Sequence, residues 1–477
     1  MDHRRNAGRG RRQVSDAEAW LAAHEADALE MVQAFCSIPS ISADPAHAGD
    51  IARAAAFAAD RLRDAGFPKV ELIETGGHPA VLAEWVHDPA LPTILVYGHY
   101  DVQPPDPLDK WVSPPFVPEV RDGRLYARGV SDDKGPLSVA ILALRAFHET
   151  AGHPPLNVKV LVEGEEESGS PNFAPTVARL RDRLACDLVL SADGAMWRPD
   201  LPSITVASRG LSALDVTVDG AAKDLHSGRH GGSAPNPIRA LTAMLATLHD
   251  GDGNVIVPGF ADTATPPDPS ILRAIETAGF DAGGYFDAIG ADRPAPLPSG
   301  ADLLYRQWLV PTLEFNGIFG GYSGAGTKTV IPDAATAKIT CRLVAGQDPA
   351  AVAKVIETHL ARVLPTGYRL TVTRHGPGSA AFSLDPAQPG LAEAEHVLEE
   401  LLGQKPLRVA MGATIPIGDV FARELDAGCI FFSFSTADED YHAPNEFFRL
   451  SSLITGQVAW VRLLSRLATS LAESGGT

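Results

Sequence analysis

Three short apolar runs in the first half of the chain, Thr93–Tyr97, Val158–Val162 and Leu188–Leu190, each stop at a polar tip that carries a histidine or an acid. Runs of that length, set among the helically spaced stretches Ala17–Cys36, Ile51–Ala65 and Leu137–Phe147, predict buried strands alternating with helices. That alternation implies an α/β fold with a central, mostly parallel sheet flanked by helices. Sheets of this kind place ligands and reacting groups beyond the C-terminal ends of their strands. What sits at the tips therefore decides the chemistry.

His99 and Asp101 follow the first run, Glu166 and Glu167 lie in Glu163-Gly-Glu-Glu-Glu167 after the second, and Asp193 follows the third. Asp132 precedes the Leu137–Phe147 helix, and a distant His442 lies in Asp440-Tyr-His-Ala-Pro-Asn-Glu446. His99 and Asp101, two apart, fall on one side of an extended tip. There a carboxylate can hold an imidazole in one tautomer while its other nitrogen binds a metal. Adjacent glutamates on irregular backbone point in different directions, so one can coordinate while its neighbour stays free as a base. Singly, each position has an ordinary reading: a satisfied histidine, an N-cap aspartate, a solvated acidic run, an Asp-Gly turn. Gathered at successive strand ends, they outweigh those readings and predict a two-metal hydrolytic site.

At 477 residues the chain is long enough for two or three units. Residues 1–207 read as the first part of a catalytic domain, beginning with a basic tail over 1–15. That tail holds five arginines up to Arg12 and runs into acids rather than an apolar segment, unlike a secretory leader. Residues 208–380 change character. Strands with alternating polarity at Ala213–Val218, Ala337–Val344 and Arg369–Arg374, and helices at Pro237–Leu248 and Pro349–Leu364, predict an inserted α+β domain. Within it, Gly251–Pro311 is rich in Gly and Pro and reads as an irregular excursion. The α/β pattern returns over 381–477, with a helix at Leu391–Leu402, a strand at Cys429–Phe434 and a helix at Leu450–Leu471.

A net charge of −19 argues against a nucleic-acid surface, and no apolar run reaches the ~20 residues a membrane span requires. Four widely spaced cysteines, mostly inside apolar runs, suit buried thiols in a reducing, cytoplasmic setting. With no Cys-x-x-Cys pair, any zinc must be held by His, Asp and Glu. Gly321-Tyr-Ser-Gly-Ala-Gly326-Thr-Lys-Thr329 is a decoy for a phosphate loop: Thr327 intervenes before the lysine, and Gly317-Ile-Phe-Gly-Gly321 ahead of it does not read as a clear strand. The same stretch lacks the final glycine of a serine-hydrolase elbow.

Four motifs carry a resemblance: Gly98-His-Tyr-Asp-Val-Gln-Pro-Pro105, Arg128-Gly-Val-Ser-Asp-Asp-Lys-Gly-Pro136, Glu165-Glu-Glu-Ser-Gly-Ser170 and Asp224-Leu-His-Ser-Gly228. In these the chain resembles the di-zinc metallopeptidase superfamily of carnosinase, glutamate carboxypeptidase, aminoacylase and acetylornithine deacetylase, and most of all its bacterial dipeptidase and carnosinase branch. The resemblance implies a zinc-peptidase catalytic domain with an inserted lid and dimerisation domain. It also implies two zinc ions per subunit, for which manganese or cobalt can substitute. One would be held by His99 and Asp193, the other by Glu167 and His442, with Asp132 bridging. Asp101 would orient His99, Glu166 would be the base, and the Asp132–Asp133 peptide would be cis. His226 would reach the active site of the neighbouring subunit in a homodimer. Arg342 would grip the free carboxylate of a small peptide substrate, with Lys328 and Thr414 in substrate-facing motifs. Gly231-Gly-Ser-Ala-Pro-Asn-Pro237, and Gly412-Ala413 where Gly-Gly is common, depart from the carnosinase pattern, so substrate preference does not transfer.

The implied activity is metal-dependent hydrolysis of dipeptides or short peptides with a free C-terminus, Glu166 drawing the proton from water activated between the zinc ions. An N-acyl amino acid deacylase would use the same metals with a different lid pocket. A catalytically silent dimeric scaffold would have no need to keep buried acids together.

Overall fold

The computed structural model describes residues 2–474 and divides into two compact units. The larger comprises Met1–Val206, Leu384–Val409 and Val420–Thr477, of which Met1 and 475–477 lie outside the described residues. Its six-stranded sheet runs in the order Lys69–Ile73, Ala80–Trp85, Asn157–Glu163, Thr93–His99, Leu188–Ser191, Cys429–Phe431. The first two strands are antiparallel to their neighbours, and the last four are mutually parallel. Every residue of Asn157–Glu163 is buried, as befits a strand covered on both faces. Helix Gly135–Ala151 starts with Pro136 in its first turn, where no amide hydrogen is needed, and packs against Leu450–Ser474 and the first helix. The fold is α/β with a mostly parallel central sheet, as the alternating pattern predicts.

Two expectations are corrected here. The first helix spans Asp2–Ala23 and so takes in the arginine-rich segment read as a tail, while the helix predicted over Ala17–Cys36 is broken at His24 into two.

The smaller unit comprises Ala207–Ser383 and Ala410–Asp419. Its antiparallel sheet runs Thr312–Gly320, Ala334–Leu343, Gly210–Asp219, Arg369–Arg374. Strict alternation of buried and half-buried residues along Gly210–Asp219 turns Leu214, Val216 and Val218 inward. They pack with Leu241 and Met244 of helix Pro237–Leu245 and with Ile356 and Leu360 of helix Pro349–Val363.

The excursion expected over Gly251–Pro311 is not irregular. It holds the helices Pro269–Thr277, Ala282–Ala288 and Gly300–Leu309, because its prolines and polar residues act as starts rather than breaks. Asp268 caps the first with Pro269 following, and Ser299 forms a capping box with Asp302. Likewise Gly317–Gly321 is not strandless, since Thr312–Gly320 pairs with Ala334–Leu343 across a register shift at Phe315/Gly317. The glycine-rich stretch after it leads to the short strand Val330–Ile331 and not to the helix a phosphate loop requires. Among the described residues no helix is long and apolar enough to cross a membrane.

Candidate metal centre

The parallel register sets His99 opposite Glu163 and Tyr97 opposite Ser191, so the His99 tip, the Glu163–Glu167 tip and Asp193 share one edge of the sheet. Asp133 accepts the His99 backbone N–H at 3.1 Å, and a Cβ at residue 98 would stand 2.6 Å from that same oxygen. Only glycine lets the strand pass so close to the carboxylate.

His99 and Asp101 are fully buried. The Nδ1 of His99 lies 3.1 Å from the Asp101 carbonyl oxygen and 3.4 Å from its Oδ1. A carbonyl oxygen only accepts, so Nδ1 carries the hydrogen and Nε2 faces Oδ1 of Asp132 at 2.9 Å. The other oxygen of Asp132 lies 3.0 Å from His442 Nε2, and that nitrogen is 3.1 Å from Glu167 Oε2. One carboxylate thus touches both histidines. Ligand atoms of His99, Asp132 and Asp193 form one group within 4.8 Å of one another, and those of Asp132, Glu167 and His442 form a second. The Asp132–Asp133 peptide is cis, as the resemblance implied.

Asp101 has a second task. Its Oδ1 accepts the backbone N–H of Glu166 at 3.2 Å and its Oδ2 that of Glu167 at 3.0 Å, so it fixes the glutamate tip as well as the histidine. Gln103, which had no role in the sequence reading, donates from Nε2 to Oε2 of Glu167 at 2.8 Å and to its carbonyl at 3.0 Å. Asp133 was missed too. The signal for both was their place in motifs that already held ligands.

The electrostatics call for added positive charge. Burial first, then the Asp132 charge, pushes Glu167 up to about 7, and burial pushes Asp193 up to about 6. Burial also raises Glu166 well above the usual carboxylate range, with Asp193 and Asp132 adding to it against the pull of His99. Asp132 goes the other way: burial opposes ionisation, but hydrogen bonds to His442 and His99 hold it well below that range. Hydrogen bonds to Asp132 and Glu167 raise His442 to about 10. Acids crowded so closely ionise together only beside a strong cation. A set of two imidazoles and three carboxylates, with no thiolate, fits zinc, manganese or cobalt.

The remaining predicted residues lie in the smaller unit. Exposed His226 accepts the Gly228 N–H at Nδ1 (3.0 Å), and its strand pairs with Val330–Ile331, two residues beyond Lys328. Lys328 forms an exposed ion pair with Asp224 at 3.5 Å. Half-buried Arg342 donates from Nη1 to Oγ1 of Thr414 at 2.7 Å.

Comparison with known proteins gives a consistent result. The sequence profile of peptidase family M20/M25/M40 matches residues 95–466. The chain is 30% identical to Cys-Gly metallodipeptidase dug1 of Schizosaccharomyces pombe over 91% of its own length and 94% of that protein. It is 29% identical to the Beta-Ala-His dipeptidase of Homo sapiens, over 91% and 88%. The solved structure of an M20 family metallo-carboxypeptidase from Sulfolobus solfataricus is similar at a TM-score of 0.82 and 28% identity, over 92% of this chain and 99% of that one.

Proposed function

The chain belongs to peptidase family M20/M25/M40, and from that premise we propose that the sheet edge around Asp132 is the active site of a metal-dependent dipeptidase. The activity is hydrolysis of the peptide bond of dipeptides, in keeping with relatives named as Cys-Gly and Beta-Ala-His dipeptidases. The observation that carries the site is the sharing of Asp132 by two groups of ligand atoms.

Two zinc ions per subunit would be held here, one by His99 and Asp193 and one by Glu167 and His442, and Asp132 would serve both. Such ions supply Lewis-acid activation of water and of the scissile carbonyl. Glu166 takes the proton from the attacking water and returns it to the leaving amine, for which a carboxyl raised above its ordinary range is suited. Asp101 holds that base in place through the backbone of the tip. In the smaller unit, Arg342 offers a planar fork that matches the substrate's free carboxylate, and Thr414 fixes one of its nitrogens. Lys328 adds a cation to the substrate-facing side. His226 donates to the tetrahedral oxyanion across a homodimer, a contribution of about 3 kcal/mol for one good donor. Support for dimerisation through this unit comes from the resemblance and from Phe315, Ile318 and Phe319, which stand exposed on its edge strand. The four cysteines are unpaired, which supports a cytoplasmic setting.

The test is a panel of dipeptides beside N-acetyl and N-succinyl amino acids, with zinc-loaded and chelator-stripped protein. Zinc-dependent cleavage of dipeptides is expected. Zinc-dependent release of acyl groups alone would move the activity to the deacylases, and no turnover with metal bound would leave a scaffold.

A further inference from the structure

We propose that Glu446 is the positioning residue that holds the bridging carboxylate Asp132 in place and sets His442 against it. The proposal rests on the two-metal reading above. Glu446 is buried, and four donors converge on its carboxylate. Arg128 Nη1 and the Gly129 N–H reach Oε2, both at 2.8 Å. The Ser131 N–H reaches Oε1 at 2.9 Å and the Asp132 N–H reaches it at 3.2 Å. An ionised carboxylate only accepts, so it satisfies all four at once.

Three of these donors are backbone amides of the turn that carries Asp132, and one belongs to Asp132 itself. A turn that aims several N–H groups at one point forms an anion-holding concavity, and Gly129, at φ +79°, supplies a left-handed residue within it, while the Val130 N–H turns away to the Ala127 carbonyl. The carboxylate inside comes from the other metal-binding segment, four residues after His442.

The backbone around Glu446 reinforces the connection. Its carbonyl accepts the Ala127 N–H at 3.2 Å, and Phe447 then pairs with Tyr126 in an antiparallel ladder. Between His442 and Glu446 the chain is over-determined. His442 and Asn445 sit at φ +64° and +68°, in the left-handed region that few residues other than glycine adopt, His and Asn more readily than most. Asn445 accepts the Val112 N–H at 2.8 Å and donates to the Lys110 carbonyl at 3.0 Å. A loop pinned at Asn445 and Glu446 delivers its histidine to one place. Glu446 makes that place the one where Asp132 waits.

Glu446→Gln preserves shape but puts an NH2 group either where two backbone N–H groups point or where a guanidinium and a backbone N–H point, so one side of the clamp is lost. Asp132 belongs to both ligand groups, whereas His442 belongs to one. The cation held with Glu167 and His442 should therefore loosen more than the cation held with His99 and Asp193.

The experiment is zinc titration of the full chain against a competing chelator for wild type, Glu446→Gln and Glu446→Asp, with visible spectra of the Co2+-loaded proteins. The expected result for Glu446→Gln is a loss of about 10–100-fold in affinity at one of two sites, a shifted Co2+ spectrum, and a lower kcat with KM retained. Glu446→Asp, which keeps the charge one methylene short, should fall between the two, and it carries the test if the glutamine variant does not fold. Two cations bound as tightly as in wild type, with only the melting temperature lowered, would overturn the proposal. A wild type that takes up a single cation overturns the two-metal reading alone; Glu446 is then judged by whether its variants loosen that cation.

Discussion

Oδ2 of Asp101 accepts the backbone N–H of Glu167 at 3.0 Å, which ties the strand ending in His99 to the tip that carries the glutamates. In Asp101→Asn one of the two accepting oxygens becomes a donor that faces an N–H. Metal affinity and kcat should each fall about 10–100-fold, as for other partners that orient metal ligands. Chelator competition and steady-state kinetics check this; an Asn variant with wild-type values for both would remove the role assigned to Asp101.

Glu166 is assigned proton transfer and no metal. Glu166→Gln should therefore lower kcat by about 10²–10⁴-fold while the metal content stays that of wild type. Metal analysis beside kinetics decides the point: loss of metal with turnover retained would refute the assignment.

Three of the assigned ligands, Glu167, Asp193 and His442, contribute a pH dependence of stability because the fold pushes each of them upward. Burial raises Glu167 to about 7 and Asp193 to about 6, and hydrogen bonds to Asp132 and Glu167 raise His442 to about 10. In each case the metal-free folded chain binds more protons than the unfolded chain. The acid contributions are lost as pH rises from the ordinary carboxylate range through about 7, and the histidine contribution, complete below its ordinary 6.5, is lost through about 10. Asp132, held low, titrates beneath this window. Bound cations take the place of those protons. The rise in melting temperature on adding zinc to chelator-stripped protein should therefore grow steadily between about pH 5 and pH 9. A rise that is the same throughout would contradict the shifts.

If His226 serves the neighbouring subunit, His226→Ala and Glu166→Gln should each be nearly inactive alone, and mixed dimers should recover activity. Subunit exchange followed by a dipeptide assay reads this out. Absence of recovery in confirmed mixed dimers excludes a shared site.

The tips were legible because a parallel sheet writes them plainly: an apolar run, then His99 or Glu163–Glu167 or Asp193. His442 has no such run directly before it; the residues offered it only as a distant histidine completing the set, and its place beside Glu167 came from the resemblance. Gln103, Asp133 and Glu446 had no individual signal, since hydrogen-bonding side chains look the same in sequence whether they hold a ligand or face water. Glu446 meets its donors 314 to 318 positions away, a distance that no local pattern spans. The helices within Gly251–Pro311 were hidden by a different cause. Pro269 and Ser299 mark helix starts, and read only as breakers they conceal the elements they begin.

The strand Cys429–Phe431 joins the large sheet at Leu188–Ser191 only after the whole of Ala207–Ser383 has been made. Until then a growing chain presents Leu188–Ser191 as an open edge, with its backbone groups ready to pair with any other strand. At ordinary rates of synthesis that exposure lasts on the order of 10–50 s. The interrupted sheet thus makes the interval between the two halves a period in which this edge depends on protection from aggregation.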